Sequence, residues 1–184
     1  MSYPLVRPHL TYEELSQLPA DGHRYELFDG EAYMCPSPTS RHQKVLGRLY
    51  VVLESSVSEG VEVFIAPLDV VLSPSTALQP DLLVVLPKNA GIVGDVIRGV
   101  PDLVVEVLSP STAALDRGLK METYARHGVP EYWIADAEKE QLEVYHLDRQ
   151  AVAYRLVAIC RRGDRVTTPL LSGVEVDVAW IFGA

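Results

Sequence analysis

Two carboxylates stand where carboxylates are costly. Asp81 opens the apolar run Leu82-Leu-Val-Val85, and Glu106 is enclosed by Leu103-Val-Val and Val-Leu108. An ionised carboxylate in a strand of that kind costs several kcal/mol unless a cation, a basic side chain or a metal compensates it. Between the runs, residues 87–101 contain Gly91, Gly94 and Gly99, which predicts a long loop joining two antiparallel strands. The start of the first strand then lies beside the end of the second, so Asp81 is expected next to Glu106. Asp102 shares Glu106's strand face but lies roughly 13 Å away, at about 3.3 Å per residue. That is too far to share a metal whose oxygen ligands sit at about 2.0–2.1 Å. The expected pair is Asp81 with Glu106. Lys120 falls on the helix predicted after the Glu106 strand, with Asp116 one turn before it and Tyr124 one turn after it on the same face. As an exposed pair Asp116 and Lys120 would contribute only about 0.3–0.5 kcal/mol. The helix begins so soon after Glu106, however, that it belongs to the same end of the sheet. Glu26, between Tyr25 and Leu27, and His42, at the start of a long helix, say little by themselves.

The elements that must position these residues are legible from local signals. Thr11 and Glu14 form a capping-box pattern for a helix over 12–18. Strands over 24–28 and 31–34 flank Asp29-Gly30, a hairpin turn. Pro36-Ser-Pro-Thr-Ser40 breaks the chain before a helix over 41–57, with Val45, Leu49, Val52 and Leu53 at helical spacing and Gly60 as its closing residue. Strands are expected over 62–66, 68–72, 81–86 and 103–108, the last two nearly continuous in apolar residues and so buried on both faces. Ser111-Thr112 caps a helix reaching His127, stopped by Gly128 and Pro130. A strand over 131–136 follows. Segments 142–147, 154–159 and 165–167 read as a meander on the sheet's far side. The order predicts an α/β (α+β) fold, a mixed sheet flanked by helices. It forms one domain over 1–184, with residues 1–20 as a short N-terminal helical arm.

The composition narrows the function classes. In 184 residues, 48% are apolar and 22% charged, enough for one packed domain and too apolar for wholesale disorder. The net charge of −9 argues against a broadly basic nucleic-acid surface, so any phosphate site must be local or metal-assisted. The two cysteines, Cys35 and Cys160, form no metal-ligand spacing and suit a reducing compartment. No apolar stretch approaches the roughly 18 residues of a membrane span. A soluble cytoplasmic protein without membrane contact is expected. No Gly-rich phosphate loop ending in Lys-Ser/Thr is present, which leaves a nucleotide-binding regulator without support.

Several stretches together resemble a known family. They are Pro80-Asp81-Leu-Leu-Val-Val, Pro101-Asp-Leu-Val-Val-Glu106-Val-Leu-Ser-Pro-Ser-Thr112, Asp116-Arg-Gly-Leu-Lys120 with Tyr124, and Gly128-Val-Pro-Glu-Tyr-Trp-Ile-Ala-Asp136. Upstream, Tyr25-Glu26-Leu-Phe-Asp-Gly30 and Ser40-Arg-His42 fit the same pattern. The resemblance is to the Uma-type family of predicted restriction endonucleases, within the PD-(D/E)XK nuclease superfamily, and spans the chain from about Thr11 onward. It implies a restriction-endonuclease-like core, with Asp81 as the motif aspartate and Glu106 as the motif acid. The sequence departs from the superfamily at Leu108, where the lysine usually falls. The resemblance implies that Lys120 has taken over from the helix. Glu26 corresponds to the superfamily's N-terminal acid, here on a hairpin strand.

The expected activity is metal-dependent endonucleolytic hydrolysis of DNA. Asp81, Glu106 and the backbone carbonyl of Val107 would hold Mg²⁺ or Mn²⁺, since hard oxygen ligands suit these ions. Lys120 and Glu26 complete the expected catalytic set. His42, Asp116 and Tyr124 are expected behind it, or on the phosphate. Arg41, Lys44, Arg48, Arg117 and Arg126 are candidates for phosphate contacts. A homodimer fits a reaction on two strands. The rival reading is a non-catalytic interaction module that keeps the nuclease fold, which the acidic net charge favours.

Overall fold

The computed structural model describes residues 4–5, 9–19 and 21–183. A short strand, β1 (Pro4–Leu5), precedes α1 (Tyr12–Ser16), whose start carries the reciprocal Thr11–Glu14 hydrogen bonds of the capping box. The helix stops at Ser16, short of the predicted end at Leu18. β2 (Arg24–Phe28) and β3 (Glu31–Cys35) form the expected hairpin. Asp29 and Gly30 both take positive φ, 48° and 89°, which is the turn that Asp-Gly favours. Thr39 accepts a hydrogen bond from the His42 amide and starts α2 (Ser40–Ser56). Val57 ends α2 in an extended conformation, so Gly60 does not close it. Gly60 instead supplies a positive φ of 83° in the turn to β4 (Glu62–Ile65).

Then come β5 (Val70–Ser73), β6 (Thr76–Leu78), β7 (Leu82–Val85), a 3₁₀ turn over Pro87–Ile92, β8 (Ile97–Arg98) and β9 (Leu103–Val107). β6 and β8, three and two residues long, are too short to show a period. The predicted helix before Gly128 has three parts: α3 (Ala113–Leu115), a π-helical turn over Asp116–Lys120, and α4 (Met121–His127). β10 (Glu131–Asp136), β11 (Gln141–Asp148), β12 (Ala153–Arg161), β13 (Arg165–Thr167), β14 (Glu175–Asp177) and α5 (Val178–Phe182) complete the chain.

The central sheet has the order β12-β11-β10-β9-β7-β4. It is mixed: β9 and β10 run parallel and the other neighbours antiparallel. A second sheet has the order β1-β3-β2-β6-β5-β8, and β13 pairs with β14 in a separate ribbon. The far-side meander is therefore corrected: β11 and β12 extend the central sheet itself, and only β13 lies apart. Leu82, Val84, Leu103, Val105 and Trp133 pack one face of the central sheet with α2, α5 and the ribbon. Leu83, Val104 and Ile134 pack the other face with Tyr124 of α4 and with Phe28, Val70 and Leu78 of the second sheet. Cover on both faces explains the continuous apolar runs of β7, β9 and β10.

The N-terminal arm is not wholly helical. β1 pairs with β3, and α1 docks through Tyr12, whose hydroxyl donates to Asp69 at 2.7 Å. The rest of the predicted arm, at 1–3, 6–8 and 20, lies outside the described residues. Among the described residues no helix is long and apolar enough to cross a membrane.

Candidate active site

The antiparallel register Leu82↔Val105 between β7 and β9 sets position 81 opposite position 106, as the loop argument requires. Alternation along the strands turns both toward the α4 face. Asp81 Oδ2 accepts the Val107 amide at 2.7 Å and lies 3.0 Å from His42 Nε2. Glu106 Oε1 accepts from Lys120 Nζ at 3.1 Å and from the Tyr124 hydroxyl at 3.3 Å. Asp102 stands at the other end of β9. There it accepts from the Leu86 amide and the Asn89 side chain at 2.8 and 3.0 Å, and pairs with Lys88. It anchors the loop and takes no part in the cluster.

Lys120 is the hub of the cluster. Its ammonium is 3.0 Å from Glu26, 3.1 Å from Glu106 and 3.6 Å from Asp116. Lys120 is 6% exposed and both glutamates 2%, so this is not the exposed Asp116–Lys120 pair that spacing alone would allow. The π-helical turn spans Asp116 to Lys120. Such wide turns occur mostly as single turns within helices, often at functional sites. Here the turn carries two of the charged groups. Glu26 arrives from the second sheet, and its Oε1 also accepts the Gln79 amide at 2.9 Å.

The electrostatics follow from burial and mutual repulsion. Burial drives the Glu106 carboxyl well above its ordinary pKa; Lys120 opposes the rise, and Asp81, Asp116 and Glu26 add to it. Burial likewise lifts Asp116 to about 6, against the pull of Lys120. Burial alone would lower the Lys120 pKa, but Glu106, Glu26 and Asp116 outweigh it and hold the ammonium charged. The Tyr124 hydroxyl is raised by burial and by Glu106.

Glu26, His42, Asp81, Glu106, Asp116 and Lys120 line one cavity of about 400 Å³. Asp81 Oδ1 and Glu106 Oε2 accept no hydrogen bond among the described residues, and the Asp81 side chain is 18% exposed. Two hard carboxylate oxygens are thus open. The Val107 carbonyl is a reasonable third donor. In an antiparallel ladder one residue's N–H and C=O face the same neighbour, and the Val107 N–H faces Asp81. Continuing the register from Leu82↔Val105 would set Pro80, which has no N–H, opposite Val107. The donor set fits Mg²⁺ or Mn²⁺, which are bound by one or two carboxylates and keep several waters. Among the described residues no three His, Cys, Asp or Glu side chains are assembled to hold a metal.

A family model described as "Uma2: Putative restriction endonuclease" matches residues 12–179. The chain belongs to the Uma2 family. An uncharacterized protein of Synechocystis sp. is 28% identical over 150 residues, covering 78% of this chain and 75% of its own. In three dimensions this Uma2 protein resembles a crystal structure titled as a "putative nuclease belonging to DUF820" from Anabaena variabilis. The TM-score is 0.78 at 18% identity, over 94% of this chain and 97% of the other. The likeness bears out the mixed α/β (α+β) fold.

The Uma2 cluster unites Glu26, Asp81, Glu106, Val107 and Lys120, with His42, Asp116 and Tyr124 behind them. His42 is not a free helix-start group. Its ring is buried against Asp81, and its Nδ1 has no hydrogen-bond partner among the described residues. The basic candidates mostly go elsewhere. Arg117 forms a fork to Glu143 at 2.7 Å through both nitrogens and reaches Asp136. Arg126 pairs with Asp29, Arg41 with Glu140, and Arg48 lies over Trp180. Lys44 is exposed on α2. Arg24 and Cys35 also line the cavity, which the sequence reading missed. The available signal was parity, because Arg24 is two residues before Glu26 on one strand and shares its face.

Proposed function

We propose that the protein hydrolyses phosphodiester bonds of DNA with the help of Mg²⁺ or Mn²⁺ at the Asp81–Glu106 end of the central sheet. The observation that carries this reading is the convergence of Glu26, Asp81, Glu106, Asp116 and Lys120 on one cavity. Membership of a family described as "Putative restriction endonuclease" supports DNA as the substrate class. Asp81, Glu106 and the Val107 carbonyl would hold the ion. When bound, such an ion lowers the pKa of a coordinated water and neutralises charge on the phosphate.

The chain's own residues do the rest. His42 and the Val107 amide take up Asp81 Oδ2, which leaves Oδ1 directed to the cavity. Tyr124 steadies Glu106 through Oε1 and leaves Oε2 open. Lys120 keeps its proton, because three acids surround it. Its ammonium then donates to the phosphate oxygen on which charge builds in the transition state. Glu26 and Asp116 aim that ammonium. Two copies acting together would suit cleavage of both strands of a duplex, and a cytoplasmic location suits the free cysteines.

A second reading, a non-catalytic interaction module on the nuclease fold, draws on two observations. The net charge is −9, and most of the basic candidates are tied to acids. The two readings part on metal-dependent nicking of supercoiled plasmid, with chelator and Asp81→Ala as controls. Nicking by the wild type with Mn²⁺, abolished in both controls, supports the nuclease. A folded wild type that neither nicks DNA nor binds Mn²⁺ refutes it.

A further inference from the structure

We infer that Arg24 is the phosphate-binding residue of the cavity, taking the phosphate next to the scissile one on a strand that passes from the acid cluster into a neighbouring cleft. The inference rests on the proposed nuclease reading and deepens it. Three observations lead to it. First, the cavity is rich in acids, and Lys120 is already shared by Glu26, Glu106 and Asp116. One ammonium so engaged leaves a polyanion entering the site short of positive charge. Second, three other basic candidates are committed, Arg117 to Glu143 and Asp136, Arg126 to Asp29 and Arg41 to Glu140, and Lys44, exposed on α2, does not line the cavity. Arg24 is half-buried and makes no ion pair among the described residues. Its charge is nonetheless felt inside the cavity. The Cys35 thiol, its register partner on β3, is pushed up to about 12 by burial and by Glu26, while Lys120 and Arg24 pull the other way.

Third, Arg24 is shared by two hollows. The 400 Å³ cavity holds the acids. A 220 Å³ cleft beside it is lined by Tyr12, Leu15, His23 and Tyr25. Arg24 and Gln79 line both. A strand with its scissile phosphate at Asp81 and Glu106 would pass Arg24 on its way to the cleft, where Tyr25 and His23 offer surfaces for a base. A planar guanidinium binds phosphate oxygens bidentately and stays charged at any working pH. Lysine at this position would keep the charge and lose the fork.

The test is equilibrium binding of a fluorescein-labelled DNA oligonucleotide by anisotropy, in Ca²⁺ to hold back turnover. It compares the wild type, Arg24→Gln, Arg24→Lys and Arg165→Gln. Arg165 pairs with Glu175 on the ribbon, which packs on the opposite face of the central sheet, so its loss controls for net charge. Arg24→Gln should weaken binding roughly 10-fold or more, as expected for a lost charge-assisted contact. It should also flatten the dependence of log affinity on log salt by about one unit. Arg24→Lys should keep the salt slope and lose part of the affinity. Arg165→Gln should bind as the wild type does. Unchanged affinity and slope in a folded Arg24→Gln protein overturn the inference and leave the nuclease reading standing. A parallel titration with inorganic pyrophosphate separates the two ideas. Arg24-dependent pyrophosphate binding by a protein that ignores DNA keeps the phosphate site and removes the DNA reading. A wild type that binds neither overturns both.

Discussion

Lys120→Met nearly preserves the side chain's volume and deletes its charge, which strands the acids around it. The ammonium lies 3.0, 3.1 and 3.6 Å from Glu26, Glu106 and Asp116. Removing one side of a buried ion pair costs about 3–5 kcal/mol. Here the acids have a way out, because burial already holds Asp116 at about 6 and Glu106 well above its ordinary range. Lys120 opposes both shifts, so its loss raises them further. A carboxyl with a higher pKa in the folded than in the unfolded state favours folding below its unfolded value. That contribution is lost as the pH rises through the folded value. The penalty of the mutation should therefore be small at pH 5 and grow as the pH rises past 6 toward 8. For a domain of this size about 1 kcal/mol moves Tm by about 2–4 °C. Lys120→Met should then melt roughly 6–20 °C below the wild type at pH 8, with the gap nearly closed at pH 5. Mn²⁺ should raise the mutant's Tm more than the wild type's, since a bound cation replaces the missing charge. Circular-dichroism melts across this pH range, without metal and with Mn²⁺, provide the measurement. Equal melting at pH 8, or a gap that does not change with pH, would refute the reasoning.

Asp81→Ala and Glu106→Ala should each abolish the heat of Mn²⁺ binding while the far-ultraviolet spectrum stays native; unchanged affinity in both would remove them as ligands. Lys120→Met should not cleave DNA, and adding Leu108→Lys should restore part of the nicking rate, because positions 106 and 108 share a strand face and Leu108 is only 8% exposed beside Tyr124. Wild-type nicking by Lys120→Met would reduce that lysine to a structural ion pair. Burial alone would raise the Glu143 pKa, but the Arg117 fork and the Tyr145 and Gln141 hydrogen bonds hold it at about 2. The whole shift corresponds to about 3 kcal/mol at pH 7; Arg117→Ala should remove the part that the fork supplies and leave the part held by Tyr145 and Gln141, and the loss should fade as the pH drops from about 4.5 toward 2; urea unfolding at both ends of that window checks it, and a constant loss would contradict it. Cleavage should fall steeply with salt and be supported by Mg²⁺ or Mn²⁺ but not by Ca²⁺; brisk turnover in Ca²⁺ would count against the assigned chemistry.

Local rules carried much of the architecture. The Thr11–Glu14 box, the Asp29-Gly30 hairpin and the Gly128 stop depend on a few adjacent residues, and each forms as its sequence implies. The Asp81–Glu106 pairing was also legible, because a glycine-bearing loop between two apolar runs leaves antiparallel pairing as the natural solution, and the register follows. Helical spacing set Lys120, Asp116 and Tyr124 on one face at the Glu106 end of the sheet, whereas Glu26 and His42 as cluster members came from the resemblance, not from any local pattern.

Tertiary structure decided what faces what. Glu26 belongs to the second sheet and Lys120 to a π-helical turn, and only the packing of that sheet and helix on the same face of the central sheet brings them within 3.0 Å. His42 reaches Asp81 because α2 starts beside that sheet end. A charge in a sequence does not announce its partner, so Arg117, Arg126 and Arg41 looked available for phosphate until their acids were in view, and Arg24 was passed over. The physical reason is range. Caps, turns and alternation are set by neighbours in the chain, whereas burial, ion pairing and the pKa of a buried acid are set by whatever the fold presses against it.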